Sequence, residues 1–231
     1  MLNIEEFFAY GSDVEAALES GEPLVALEST VITHGLPYPQ NVETAVLMEK
    51  AVREGGAVPA TIGIIQGKII VGLSAGQMDY LGKQAGEDTA RKCSRRDLPL
   101  ALAQGDDGST TVAGTMILAH LAGIEVFATG GIGGVHRGHP FDVSADLSEL
   151  GRTPVTVVSS GAKSILDLRA TREVLETQGV TIIGYGSDEM AAFFARSSGL
   201  PVDQRLDSPQ AVAAVIQARQ KLGLQSGMLV T

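Results

Sequence analysis

The chain contains no Trp, and only 4% of its 231 residues are aromatic, so a stacking platform for single-stranded nucleic acid is excluded. A single cysteine, Cys93, leaves no intramolecular disulfide and no multi-cysteine zinc site. No apolar run reaches the ~18 residues a membrane span requires; the richest, from Met116 to Val135, is broken by His120, Glu125 and several glycines. Cations are outnumbered, with 17 Lys and Arg against 27 Asp and Glu, for a net charge of −10. Such a chain repels phosphate backbones and anionic membranes, so neither nucleic acid nor a membrane is expected as a partner. A local basic pocket for one small phosphate stays open. The N-terminus, MLNIEEFFAYGSDVEAALESGEPL, is acidic where a secretory signal is basic. A cytoplasmic protein is expected.

What is present is glycine, 28 residues, within a globular composition of 44% apolar and 19% charged. The length suits one large domain with a sizeable core. Short β-branched runs alternate with amphipathic stretches. Leu24–Leu27 reads as a first strand and Asn41–Arg53 as a helix closed by Gly55-Gly56. Thr61–Leu73 reads as a hairpin turning at Gln66-Gly67, and Ser74-x-x-Gln77 as a capping box opening a short helix. Helices are expected at Thr110–Leu121, Ser164–Thr177, Asp188–Ala195 and from Ser208-Pro209 to Lys221. Strands are expected at Ile124–Ala128, Val155–Val158 and Val180–Ile183. This alternation points to an α/β layered fold with a largely parallel sheet. The apolar stretch Gly227–Thr231 reads as a strand left unprotected at an edge, and further sequence is expected beyond it.

Ligands of open parallel sheets gather at the carboxyl ends of strands, which singles out Glu28, Gly130–Gly134, Lys163 and Gly184–Gly186. The densest segment is Thr129–Asp146, TGGIGGVHRGHPFDVSAD. It is neither a dinucleotide fingerprint nor a P-loop, yet its glycines with His136 and Arg137 suit an anion. Asp142 and Asp146 suit a hard metal or a polar substrate contact, and equally suit helix capping. Lys163, after a hydrophobic strand, is either a desolvated nucleophile or a solvated loop lysine. Glu28 is either a proton donor or a partner of the Ser29–Thr30 backbone. His34 stays open between a core histidine and a site residue. The cations of Arg91–Arg96 form an anion pocket or a salt-bridged helix start at Ser94. Cys93 is read as a small buried hydrophobe.

The segments ALESTVITHGLPYPQNVETA, GAVPATIGII, SRRDLP, TTVAGTMILAHLAGIEVFATGGIGGVHRG, FDVSADL and VTVVSSGAKSILDL follow in that order from about Leu24. In them the chain resembles the pseudouridine-5′-phosphate glycosidase family, also called indigoidine-synthase A-like. The resemblance implies a reversible reaction of pseudouridine 5′-phosphate and water to uracil and ribose 5-phosphate. It also implies a homotrimer with a three-layer α/β/α fold, to which the hairpin read at Thr61–Leu73 adds a β-hairpin excursion. Carried over by position, Lys163 is the nucleophile and Glu28 the proton donor to the ribose ring oxygen. Asp142 is the Mn²⁺ ligand. Lys92, Val112, Ser144, Ala145 and Asp146 contact substrate, and His136 lies toward the phosphate.

The base–sugar bond is carbon–carbon, so the usual protonation of a leaving oxygen is unavailable. A lysine adduct supplies the electrons instead, ending as an iminium that water hydrolyses. The family's longer C-terminal region carries an asparagine that Thr231 precedes, and the segment between Gly138 and Phe141 is short. Two other readings stand beside this one: a Schiff-base aldolase or lyase on another sugar phosphate, and a catalytically incomplete sugar-phosphate-binding module.

Overall fold

The computed structural model describes residues 4–87, 89–195 and 197–231. They belong to two compact units, Met1–Ile124 and Glu125–Thr231. The fold is of the three-layer α/β class with largely parallel strands, as the sequence predicts. Among the described residues no helix is long and apolar enough to cross a membrane.

The first unit opens on β1 (Phe8–Tyr10) and α1 (Ser12–Ser20), so Leu24–Leu27 is its second strand, β2. There follow α2 (Gln40–Glu54), β3 (Val58–Ile65), β4 (Lys68–Val71) and α3 (Ala75–Lys83). The unit closes with β5 (Arg91–Cys93), α4 (Leu98–Gln104), β6 (Gly108–Thr110) and α5 (Val112–Leu121). Strands run in the order β1-β4-β3-β2, with β6 also on β3 and β5 on β6. The expected hairpin is the antiparallel β3–β4 pair. Its turn residues take positive φ, +49° at Gln66 and +72° at Gly67, the backbone that matches strand twist. A Cβ at Gly67 would meet Gly105 and Leu102 backbone at 2.9 Å, so only glycine fits. The expected capping box is also formed, Gln77 N–H donating to Ser74 Oγ and Ser74 N–H to Gln77 Oε1. The core under this sheet gathers Ile32, Ala45, Ile70, Leu73, Met78 and Leu81.

The second unit holds β7 (Val126–Ala128), β8 (Val135–His136), β9 (His139–Val143), α6 (Ala145–Leu150) and β10 (Thr156–Val158). It continues with β11 (Leu166–Asp167), α7 (Leu168–Thr177), β12 (Thr181–Tyr185), β13 (Gln204–Leu206), α8 (Pro209–Lys221) and β14 (Met228–Val230). Its sheet is parallel throughout, in the order β7-β10-β14-β12-β13. α8 begins as expected, Ser208 Oγ accepting the Ala211 N–H, with Pro209 first in the helix. It covers Ile183, Met228 and Val230 through Val212, Val215 and Ile216.

Three expectations are corrected here. The strand Met228–Val230 is no edge: β10 and β12 pair with it on either side, and its three side chains are buried. Burial of each is worth about 1.5–3 kcal/mol. Residues 188–195 form no helix; Phe193 takes φ +62°, and Ala192 bridges both Gly161 and Ala195. The helix expected from Ser164 starts at Leu168, because Leu166–Asp167 first pairs with β8 and Asp167 then caps the helix at Ala170.

Candidate active site

In the first unit Glu28 directly follows β2 and is half-buried. The next residue, Ser29, is fully buried; its hydroxyl donates to Ile62 O at 2.6 Å and accepts the Thr110 N–H at 2.9 Å. Thr30 Oγ1 donates to Thr110 O at 2.7 Å. These bonds fasten the end of β2 to the end of β6, which in turn pairs with β5, Lys92 opposite Ser109 and Cys93 opposite Thr110. Thr111 caps α5, whose first residue is Val112. The structure thus brings Glu28, Lys92 and Val112 to neighbouring strand ends. Lys92 is exposed there, while Val112 is buried.

The chain from Thr30 continues into a π-helical turn, Val31–Gly35. Asn41 holds this turn through a hydrogen bond to Ile32 O at 2.5 Å. His34 is exposed rather than in the core, with Nδ1 2.5 Å from Thr33 Oγ1 and 3.3 Å from Ser109 Oγ. In the basic cluster, Arg91 is committed to Asp106 at 2.7 Å, and the Ser94 N–H donates to Asp97. Cys93 is buried, and burial pushes its thiol up to about 12, as befits the buried hydrophobe expected.

In the second unit the glycine-rich segment is an ordered hairpin, β8–β9, beside β11. Lys163 is joined to it by its N–H, which donates to Ile132 O at 3.1 Å, next to the Ile132–Ala162 bridge. Lys163 itself stands exposed, not desolvated. Arg137 donates to Leu166 O and Ser164 O, both at 3.0 Å, so its guanidinium braces the turn that carries Lys163. Asp142 extends from β9 with its carboxylate 3.2 Å from His136 Nδ1.

Ser144 caps α6, accepting the Asp146 N–H at 3.2 Å. Asp146 is 6% exposed, and its Oδ2 accepts the Gly133 N–H at 2.8 Å. A Cβ on Gly133 would lie 2.2 Å from Ser144 Oγ, so this approach requires glycine. Ser144, exposed Ala145 and Asp146 are therefore held against the glycine turn. Among the described residues, no three His, Cys, Asp or Glu side chains converge as a metal cluster.

The profile of the family described as indigoidine synthase A like protein matches residues 13–231. The chain belongs to this family. Similar family members include a pseudouridine-5′-phosphate glycosidase of Hahella chejuensis, 56% identical, covering 94% of this chain and 72% of that one. Another, from Clostridium botulinum, is 53% identical over 98% of this chain and 74% of its own. Among solved structures, an indigoidine synthase A-like protein of Thermotoga maritima matches with TM-score 0.88 at 35% identity, over 97% of this chain and 73% of that one. A prealnumycin C-glycosynthase in complex with ribulose 5-phosphate matches with TM-score 0.89 at 45% identity, over 98% of this chain and 73% of its own.

Sequence reasoning singled out Gly184–Gly186, which contains Tyr185, but missed Phe193 and Phe194. Tyr185, Phe193 and Phe194 line a cavity of about 510 Å³ at the carboxyl ends of β10, β12 and β14. The available signal was an aromatic pair in an aromatic-poor chain.

Proposed function

We propose that this protein is a pseudouridine-5′-phosphate glycosidase, cleaving a carbon–carbon glycosidic bond reversibly to uracil and ribose 5-phosphate. The observation that carries the reading is identity above 50% across nearly the whole chain to relatives bearing that name. A neighbour at 45% identity that holds a pentulose phosphate supports the sugar-phosphate half of it.

The chemistry assigns a role to each residue. The Lys163 amine forms a bond to C1′ as the bond from C1′ to the ring oxygen breaks, and Glu28 gives that oxygen its proton. After the nitrogen has lost a proton, its lone pair forms C=N, and the C1′–C5 pair departs to uracil C5, which takes up a proton. Water then adds to the iminium carbon, frees the lysine and leaves the aldehyde of ribose 5-phosphate. Lys92, Val112, Ser144, Ala145 and Asp146 contact substrate, and His136 the phosphate end.

Asp142 offers one exposed carboxylate, and a hard divalent ion that keeps several waters needs only one or two. That donor set fits Mn²⁺, which when bound would supply positive charge toward the substrate's oxygens. The reading includes a homotrimer in the cytoplasm. Its test is release of uracil from pseudouridine 5′-phosphate by the purified protein; no release over the uncatalysed rate contradicts it.

A further inference from the structure

The sequence pattern pairs Arg137 with His136 as an anion site, yet in the second unit its guanidinium is turned to the backbone. Nε donates to Leu166 O and Nη2 to Ser164 O, both at 3.0 Å. The two carbonyls belong to one four-residue turn, Lys163–Leu166, which the Leu166 N–H closes by donating to Lys163 O at 3.0 Å. Arg137 thus grips the chain one and three residues beyond Lys163.

The turn is anchored at both ends. Ala162, just before it, is buried and bridges Ile132, and the Lys163 N–H donates to Ile132 O at 3.1 Å. Leu166, at its far end, is buried and sits opposite His136 in the β11–β8 pair. Between these anchors the fork of Arg137 adds two more fixed points. It springs from the residue after His136, where the chain leaves β8 for a turn with Gly138 at φ +75°. One side chain of the glycine-rich hairpin therefore fixes the segment that presents the lysine.

The chemistry gives this fixity a use. In the proposed reaction the Lys163 nitrogen bonds to C1′, supplies the electrons that expel uracil, and is released when water adds. One nitrogen must meet one carbon in each step. A displacement of about 1 Å at such a contact lowers the rate about a hundredfold. The amine sits on a flexible four-carbon stem, so its place depends on the backbone beneath it. An arginine fork suits that task, being planar, always charged and able to donate two hydrogen bonds side by side. An ammonium in its place is a single point and does not span both carbonyls.

We propose that Arg137 is the positioning residue for Lys163, its guanidinium holding the Lys163–Leu166 turn so that the amine is delivered to C1′. Its effect runs through the turn, not through contact with the reacting atoms. This rests on the reading of Lys163 as the nucleophile.

The test compares wild type, Arg137→Ala and Arg137→Lys in turnover of pseudouridine 5′-phosphate and in borohydride trapping with ribose 5-phosphate. Both variants should lose about a hundredfold in kcat, with KM nearly unchanged. Trapping of the pentose phosphate on the Lys163 peptide should slow in step with kcat. Free guanidinium ion, well below denaturing concentration, should restore part of kcat to Arg137→Ala and leave wild type as it was. A raised KM at unchanged kcat overturns the proposal, because the guanidinium then serves the phosphate. Full activity in Arg137→Lys overturns it too, since charge alone then suffices. So does unfolding of both variants, or a kcat of Arg137→Ala that guanidinium does not raise, because the side chain then supports the unit at large. Wild type that neither turns over nor gives the adduct fails the reading of Lys163, and this inference with it. Wild type that does both, matched by the two variants, fails the inference alone.

Discussion

His136 Nδ1 lies 3.2 Å from the Asp142 carboxylate and 3.3 Å from the carbonyl oxygen of the same residue. The hairpin β8–β9 thus holds the carboxylate assigned to the metal against an imidazole assigned to the phosphate end. One Mn²⁺ per subunit is expected, counted by loss of the free-ion resonance signal on titration. Asp142→Ala should abolish that binding and lower activity by about tenfold or more. Full-rate turnover in the presence of a chelator contradicts the assignment.

The closeness of Gly133 to Asp146 is equally demanding. Gly133→Ala places a methyl 2.2 Å from Ser144 Oγ and 2.8 Å from Asp146 Oδ2. Overpacking of this kind costs about 1–3 kcal/mol. Displacing the two side chains by an ångström lowers kcat by about a hundredfold. Gly130→Ala, with open space around its Cβ, serves as the control. Thermal denaturation and steady-state rates on both variants check this, and equal behaviour of the two contradicts it.

Glu49 lies partly buried on α2, accepting from Thr61 Oγ1 at 2.6 Å. Burial is the main cause that raises its carboxyl above the ordinary 4.5, with Asp13 adding and Thr61 and Arg53 opposing. The folded state therefore holds the proton more tightly than the unfolded one. Its stabilising contribution is complete below pH 4.5 and is lost as pH rises through the folded value. Glu49→Gln should have the higher Tm at pH 7 and above, with the difference vanishing below about pH 4. A wild type more stable than the variant at neutral pH contradicts this.

Cys93, buried with its thiol pushed up to about 12, should resist aromatic disulfide reagents at pH 8 in the native protein and react only on unfolding. Stoichiometric labelling of the native protein contradicts that.

Elements governed by local chemistry were legible in the sequence: the Gln66-Gly67 turn, the Ser74–Gln77 box and the Ser208 cap all formed as expected. The failures share a cause. Residues 188–195 carry helix-like spacing of Met190, Phe193 and Phe194, but contacts to Ser160 and Gly161 impose a reversed turn. Met228–Val230 reads as a loose end because its partners, β10 and β12, lie dozens of residues earlier. In the site, the strand-end positions of Glu28 and Lys163 were legible from apolar runs. The Ser29–Thr110 bonds that set the first, and the brace of Arg137 behind the second, join residues 81 and 27 to 29 apart. Pattern within a window does not reach that far.

The central claim, that Lys163 carries the sugar as an iminium, is most directly tested by borohydride reduction in the presence of ribose 5-phosphate, followed by peptide mass analysis. The open aldehyde gives the same iminium from the product side. The account predicts inactivation only when the sugar phosphate is present, with a reduced pentose phosphate on the peptide containing Lys163 and none in Lys163→Arg, whose guanidinium stays protonated. An adduct on Lys92 instead, or normal turnover by Lys163→Arg, contradicts it.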